Sequence, residues 1–209
     1  MNTGELREKT IAAGNILGPL FLYDPADKKI ADLYALLTLS NVDELAYSWP
    51  FVNQDTALLL LRAMVESLSD RDGVIHEYRR LFVGPAPMPA PPWGSVYTDR
   101  DGVIFGESTL ALRGWMHKNA IDFHLKENAP EDHIGIMLIL MAWISTEKPD
   151  LLDDYLQHHF LTWAIHYLEE IGQFSRHAFY ANLARLTIAT LEGLRKEMNL
   201  SITYPRFFR

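Results

Sequence analysis

Hydrophobic and polar positions recur along most of the chain with the 3.6-residue period of amphipathic helices. Ile30, Leu33, Tyr34 and Leu37, for example, follow the i, i+3, i+4, i+7 spacing of one helical face. We predict helices at 3–23, 30–37, 55–68, 74–82, 108–118, 134–144, 149–156, 159–171 and 177–198. The pattern predicts an all-α fold, a single compact helical domain over residues 1–209, with roughly nine or more helices around a central buried helix.

The central helix is the stretch 134–144, which is apolar on every side. Such a helix is either buried or in a membrane, and this run is shorter than the ~20 residues that span a bilayer. We therefore predict a core helix. Pro130 suits its first position, which makes Ala129 the N-cap, and Asp132 is expected to reach back to a free backbone N–H.

The segments between helices are predicted from turn-forming residues. Residues 39–54 are expected to be irregular, and Gly73 to separate two helices. The proline-rich run 85–92 cannot be helix or central strand, and we favour an ordered loop over a linker between halves. Residues 95–97 and 103–105 flank an Asp-Gly pair, which predicts a β-hairpin.

Composition excludes several classes of function. The net charge of −8 disfavours nucleic acid as a partner, because phosphate contacts need a basic surface. The chain has no cysteine, which excludes disulfides, iron–sulfur clusters and thiol chemistry and is compatible with the cytoplasm. Its first residues lack the apolar region of a signal peptide, so we expect the protein to stay in the cytoplasm.

Asp132 and His133 are the candidates for catalysis. Neighbouring helical residues point about 100° apart, so Asp132 is not expected to orient His133 as a catalytic triad requires. No two of the eight histidines lie three or four residues apart, so neither a metal site nor another cofactor is expected. A small hydrolase or nucleotide-binding enzyme that uses this pair stays as the alternative, although no glycine-rich phosphate loop supports it.

Peptide binding fits the residue types better. Carboxylates can grip arginine, and aromatic side chains suit an apolar segment. The predicted ligand is a peptide with arginines followed by a hydrophobic run. The residues that suggest it are the carboxylates Glu127, Glu131 and Asp132 and the aromatic residues Phe82, Trp93 and Tyr97.

Four sequence blocks resemble the TorD/DmsD family of redox-enzyme maturation proteins. They are Tyr78-x-x-Leu81-Phe82-Val83-Gly84-Pro85, Pro91-Pro92-Trp93-Gly94-Ser95-Val96-Tyr97, Val103-Ile104-Phe105-Gly106-Glu107-Ser108-Thr109-Leu110 and Glu127-x-x-Pro130-x-Asp132-His133. The resemblance implies an all-helical chaperone that binds the twin-arginine (Tat) signal peptide of a molybdenum-cofactor oxidoreductase, of the dimethyl sulfoxide reductase type. It also implies that the enzyme is held back from export until its cofactor is inserted.

The resemblance also implies which residues contact the peptide. Together with their neighbours in the blocks, the expected peptide-binding residues are Tyr78, Leu81, Phe82, Pro92, Trp93, Ser95, Tyr97, Gly106, Glu127, Asp132 and His133. Tyr78 replaces an expected tryptophan and Thr162 an expected proline, the latter predicted to affect only a helix start. We expect the protein to be a monomer, with a dimer as the alternative. We also expect it to contact components of the Tat translocase at the inner membrane.

Overall fold

The structure, a computed structural model, describes residues 2–123 and 129–209. These residues form eleven α-helices and no strand, which confirms the all-α prediction. The helices are α1 (Thr3–Leu22), α2 (Ala31–Leu39), α3 (Val42–Ser48), α4 (Gln54–Ser67), α5 (Arg71–Phe82), α6 (Ser95–Thr98), α7 (Glu107–Lys118), α8 (Ile134–Glu147), α9 (Leu152–Tyr155), α10 (Ala164–Phe174) and α11 (Ala178–Glu197). Between α9 and α10 the chain forms a π-helical turn, Leu156–Phe160.

Two predicted interruptions are wrong because capping side chains were overlooked. The segment predicted to be irregular contains α3, whose start is capped by the Asn41 side chain through the N–H of Asp43. Gly73 lies within α5 instead of before it, since Asp70 caps this helix by accepting the Gly73 N–H at 3.0 Å.

The predicted β-hairpin is also wrong. Residues 95–98 form α6, and 103–105 adopt no strand. Asp99 ends this short helix and accepts the Ser108 N–H at 3.1 Å, which supports the start of α7. Gly102 forms a turn with a φ of 56°, a left-handed conformation that glycine adopts readily. The turn residues were identified correctly, but they connect helices.

Contacts group the described residues into two compact units. The first contains residues 1–22, 92–167 and 198–209, and the second contains 23–91 and 168–197. One boundary falls at the end of the proline-rich run, between Pro91 and Pro92, and another falls within α10. The expectation of one domain over the whole chain stays a prediction.

The first unit is built on the contact between α1 and α8. Ten of the residues of α8 are buried, which confirms it as a core helix. Gly14 and Gly18 face this helix so closely that a Cβ at Gly14 would overlap the carbonyl oxygen of Leu138. A Cβ at Gly18 would lie 2.8 Å from the Gly135 carbonyl oxygen, so the two backbones are in direct contact.

The second unit has an aromatic core between α2, α5 and α11. The rings of Phe82 and Tyr180 lie 5.6 Å apart, and those of Tyr34 and Phe179 are equally close. The buried Glu77 carboxylate accepts two hydrogen bonds of 2.8 Å from the Arg80 guanidinium. No helix in the parts of the chain that the structure describes has the length and apolar character needed to cross a bilayer.

Candidate functional site

An isolated backbone bridge in the first unit joins two of the sequence blocks. Trp93 pairs with His133, and the Gly94 N–H donates to the Asp132 carbonyl oxygen at 3.1 Å. On the other side, the Ile134 N–H donates to the Pro92 carbonyl oxygen at 2.8 Å. The bridge fixes the end of the proline-rich run across the start of α8, so residues distant in sequence form one site.

The Asp132 carboxylate lies beneath this bridge and is 3% exposed. Its Oδ2 accepts the Ser95 backbone N–H at 2.8 Å. Its Oδ1 and the hydroxyls of Ser95 and Thr109 are buried without a hydrogen bond of good geometry to any described residue, but both hydroxyls lie close enough to the carboxylate to lower its pKa. Burial raises the pKa of Asp132, and these nearby groups only partly offset the effect.

His133 takes the capping role that the sequence analysis assigned to Ala129, and that assignment is wrong. The helix begins at Ile134, and His133 Nδ1 accepts the Gly135 N–H at 3.1 Å. Burial lowers the pKa of His133 to about 3, so its ring is neutral at pH 7. Because Nδ1 accepts, the proton is assigned to Nε2.

A cavity of about 350 Å³ opens beside Asp132. Its wall combines one carboxylate, two imidazoles, several hydroxyls and apolar side chains. The lining residues are Gly94, Thr98, Ser108, Ala111, Leu112, Asp132, Met137, His158, His159, Thr162, Trp163, Thr203 and Pro205. A buried acid surrounded by hydroxyl and apolar groups suits a cationic group carried on an apolar stem.

Several cavity residues escaped the sequence analysis. His158 and His159 lie on the π-helical turn, a feature often found at functional sites. Their adjacency in the sequence is the signal that could have marked them. Thr162 was expected to affect only a helix start, but it also contributes to the cavity wall. No group of three or more potential metal-ligating side chains occurs within residues 2–123 and 129–209.

Trp93 lies at the edge of this site, partly buried. Its ring meets that of His133 edge to face at 5.8 Å. The indole Nε1–H is buried and has no acceptor among the residues described. Trp93 therefore adds a buried hydrogen-bond donor at the edge of the site.

Two of the predicted site residues in the first unit, Tyr97 and Gly106, support the fold around the cavity. Tyr97 is completely buried, and its ring stacks on that of Trp163 at 6.5 Å. At Gly106 a Cβ would overlap the Asp99 carboxylate, so a larger residue would displace the side chain that supports the start of α7. Both residues shape the surroundings of the cavity without lining it.

The remaining predicted residues lie elsewhere. Tyr78, Leu81 and Phe82 belong to the second unit, where all three are buried. Burial raises the pKa of Tyr78, as expected for a phenol in an aromatic core. Glu127 lies outside the described residues. Its neighbour Glu131 forms a partly exposed ion pair with Arg113, at 2.7 Å.

Comparisons with known proteins identify the family. A family model described as the nitrate reductase delta subunit matches residues 53–170, more than half of the chain. A relative from Haemophilus influenzae, named for the Tat proofreading chaperone DmsD, is 37% identical over 94% of this chain and 95% of its own length. The Tat proofreading chaperone DmsD of Salmonella typhimurium is 35% identical over the full length of both chains. The chain belongs to the TorD/DmsD family.

Membership confirms the family resemblance drawn from the four sequence blocks. A crystal structure of a redox enzyme maturation protein from Archaeoglobus fulgidus, another comparison, has a TM-score of 0.56. It is 20% identical and covers 90% of this chain and 93% of its own, so the similarity concerns the fold. The bridge and the buried Asp132 are therefore features of a TorD/DmsD family member.

Proposed function

We propose that the protein is a cytoplasmic chaperone that binds the twin-arginine signal peptide of a molybdoenzyme catalytic subunit before export. It supports folding and cofactor insertion in an enzyme of the dimethyl sulfoxide reductase type. The observation that carries the proposal is the buried, half-used Asp132 carboxylate in the wall of a cavity. The names of the relatives, which are Tat proofreading chaperones, support it.

The chemistry of the site matches an arginine side chain. A buried carboxylate without a cationic partner is costly, and a guanidinium would relieve that cost by donating to Asp132 Oδ1. The hydroxyls of Ser95 and Thr109 offer further acceptors to the remaining N–H groups. Buried polar groups normally have well-formed hydrogen bonds, so this concentration of poorly paired atoms supports a ligand site.

The apolar part of the peptide is assigned to the neighbouring aromatic residues. Trp93 presents a partly buried ring and an unpaired N–H, which can donate to a peptide carbonyl oxygen. The proposal retains Tyr78, Leu81 and Phe82 as contact residues implied by the family. Because these three are buried, a peptide could reach them only after local rearrangement.

The alternative, a hydrolase that uses Asp132 and His133, is less well supported. A histidine with a pKa of about 3 is a weak base at pH 7. Its Nδ1 is engaged by the Gly135 N–H, and Asp132 Oδ2 by the Ser95 N–H. These contacts favour structural and binding roles for both residues, and the proposed chaperone is not an enzyme.

Isothermal titration calorimetry with synthetic peptides tests the proposed function. One peptide carries two adjacent arginines and an apolar run, and its controls carry two lysines or two glutamines at those positions. We expect the arginine peptide to bind best, because lysine keeps the charge but lacks the planar fork of N–H donors. Equal affinity for all three peptides, or no binding of the arginine peptide, would refute the proposal.

A further inference from the structure

The segment 200–209 has no regular secondary structure and lies along the first unit. The Phe208 N–H donates to the Tyr97 carbonyl oxygen at 2.9 Å, and the Phe207 ring stacks on the His166 ring at 4.1 Å. His166 Nε2 lies 2.9 Å from the Arg209 carbonyl oxygen, at hydrogen-bonding distance. Two of these contacts use backbone atoms and the third needs only an aromatic ring, so another peptide could make them.

The same segment borders the cavity that contains Asp132. Thr203 and Pro205 contribute to the cavity wall. A peptide whose arginine enters beside Asp132 therefore meets this segment at the cavity. Residues 207–209 of the same segment cover the Tyr97 backbone and the His166 ring, so one short segment touches both the cavity and this second surface.

The segment also has the composition expected of the ligand. Residues 206–209 read Arg-Phe-Phe-Arg, two arginines and two aromatic residues in succession. The Arg206 guanidinium lies 5.5 Å from the centre of the Phe208 ring. The proposed ligand likewise combines arginines with an apolar run. The chain thus holds, on its own surface, a segment of the chemistry that the site is proposed to bind.

The segment is attached lightly enough to be displaced. The side chains of Tyr204 and Phe208 are 50% and 46% exposed. The neighbouring helices bury their apolar faces, whereas this segment has few buried side chains and no repeating backbone hydrogen bonds. Regions of this kind open locally at low free-energy cost.

We propose that the surface formed by Tyr97 and His166 is a binding subsite for a peptide that contains arginine and aromatic residues. In the free protein the segment 200–209, called the resident segment below, occupies this subsite and is displaced when the peptide binds. The inference rests on the proposed function, because it places the segment 200–209 and the signal peptide on the same surface. The signal peptide can then bind only when the segment 200–209 has left the surface. The apparent Kd therefore equals the intrinsic Kd divided by the fraction of molecules in which the surface is open.

Phe207→Ala is the central variant, because it removes the ring stack from the resident but leaves the subsite intact. If the open fraction is about 0.1–0.3, releasing the segment raises affinity for the arginine peptide by about three- to tenfold. Tyr204→Ala is the matched control on the same segment, outside the stack, and should leave affinity unchanged. His166→Ala removes the subsite itself and should lower affinity. Unchanged affinity in both Phe207→Ala and His166→Ala would overturn the proposal.

A second measurement uses a chain that ends at residue 202 and a synthetic peptide of residues 203–209. This peptide should bind the shortened chain and compete with the arginine peptide. If the shortened chain binds the 203–209 peptide but not the arginine peptide, the resident subsite exists and the proposed function fails. If it binds the arginine peptide without competition from 203–209, the proposed function survives and this inference fails. Should the shortened chain not fold, the point variants decide the question.

Discussion

Asp132→Asn is expected to stabilise the protein while it weakens peptide binding. The ionised carboxylate is buried and lacks a cationic partner among the described residues, and only the poorly aligned hydroxyls of Ser95 and Thr109 are close to it. In the variant, the amide oxygen can still accept the Ser95 N–H, and the amide N–H group can donate to a nearby hydroxyl such as that of Thr109. The change therefore removes a buried charge and gives the unpaired atoms a partner.

The size of the effect follows from the cost of an unsatisfied buried polar group, about 1–3 kcal/mol. For a protein of this length, the melting temperature should rise by about 2–4 °C for each kcal/mol. Affinity for the arginine peptide should fall by about 1.5–3 kcal/mol, the contribution of a hydrogen bond to a charged group. That loss corresponds to a factor of about 10–150 in Kd.

The pH dependence of the free energy of unfolding tests whether Asp132→Asn stabilises the protein for the reason given. Because the folded state raises the pKa of Asp132, the native protein binds the proton more tightly than the unfolded chain. The contribution of this group to stability is present below its unfolded pKa, about 3.9, and is lost as pH rises through the higher folded pKa. Asp132→Asn abolishes this contribution to the pH dependence, so its stabilising effect should be largest at neutral pH and should shrink in acid.

Glu77→Gln is the matched control, because Glu77 is also buried but has a charged partner. Burial would raise its pKa, but hydrogen bonds from Arg80 and the Arg176 N–H prevail and lower it. Glu77→Gln should therefore destabilise the protein by about 1.5–3 kcal/mol, the contribution of a hydrogen bond to a charged group, since it removes the negative charge that pairs with the partly buried Arg80. Thermal and urea unfolding of both variants measure the contrast. If Asp132→Asn lowers stability at pH 7, its carboxylate has a partner and the reasoning fails.

Three other predictions concern the contact between α1 and α8, Trp93 at the edge of the site, and the His133 cap of α8. Gly14→Ala should destabilise the protein by about 1–3 kcal/mol in urea unfolding, because its Cβ meets the α8 backbone, whereas Gly114→Ala, with open space around it, should stabilise slightly. Trp93→Ala should weaken arginine-peptide binding in calorimetry while it changes unfolding free energy by only ~1 kcal/mol; a loss of several kcal/mol would assign the ring to the core. Because burial holds the His133 pKa near 3, stability should fall as pH drops below about 6.5, and His133→Asn, which keeps a capping acceptor, should show a smaller fall in acid unfolding titrations.

Much of the fold could be predicted from local pattern. The apolar run of α8 indicated a buried helix because no face of it could be left in water, and its burial is confirmed. The close approach of Gly14 and Gly18 to α8 is a contact between distant segments, and the structure shows it. The errors fall at interruptions, such as Gly73 and the predicted hairpin, where a capping side chain decides whether a turn starts a helix or a strand.

The site was predicted in its residue types but not in its arrangement. The sequence blocks indicated that Trp93, Asp132 and His133 belong to one function. Their local spacing suggested an acidic helix start capped at Ala129, with Asp132 reaching back to a free backbone N–H. In the structure Asp132 is buried, and His133 is the cap.

The sequence by itself determined most of the helices and the buried centre, because hydrophobic periodicity is a local property of the chain, and its four motif blocks carried the resemblance to the family. Only the tertiary structure decided the environment of Asp132. Its backbone partner, Ser95, is 37 residues away in sequence, and the cavity beside it receives walls from the π-helical turn and from Thr203 and Pro205. Whether a carboxylate is solvated or buried depends on which distant segments cover it, and no local pattern around residue 132 contains that information.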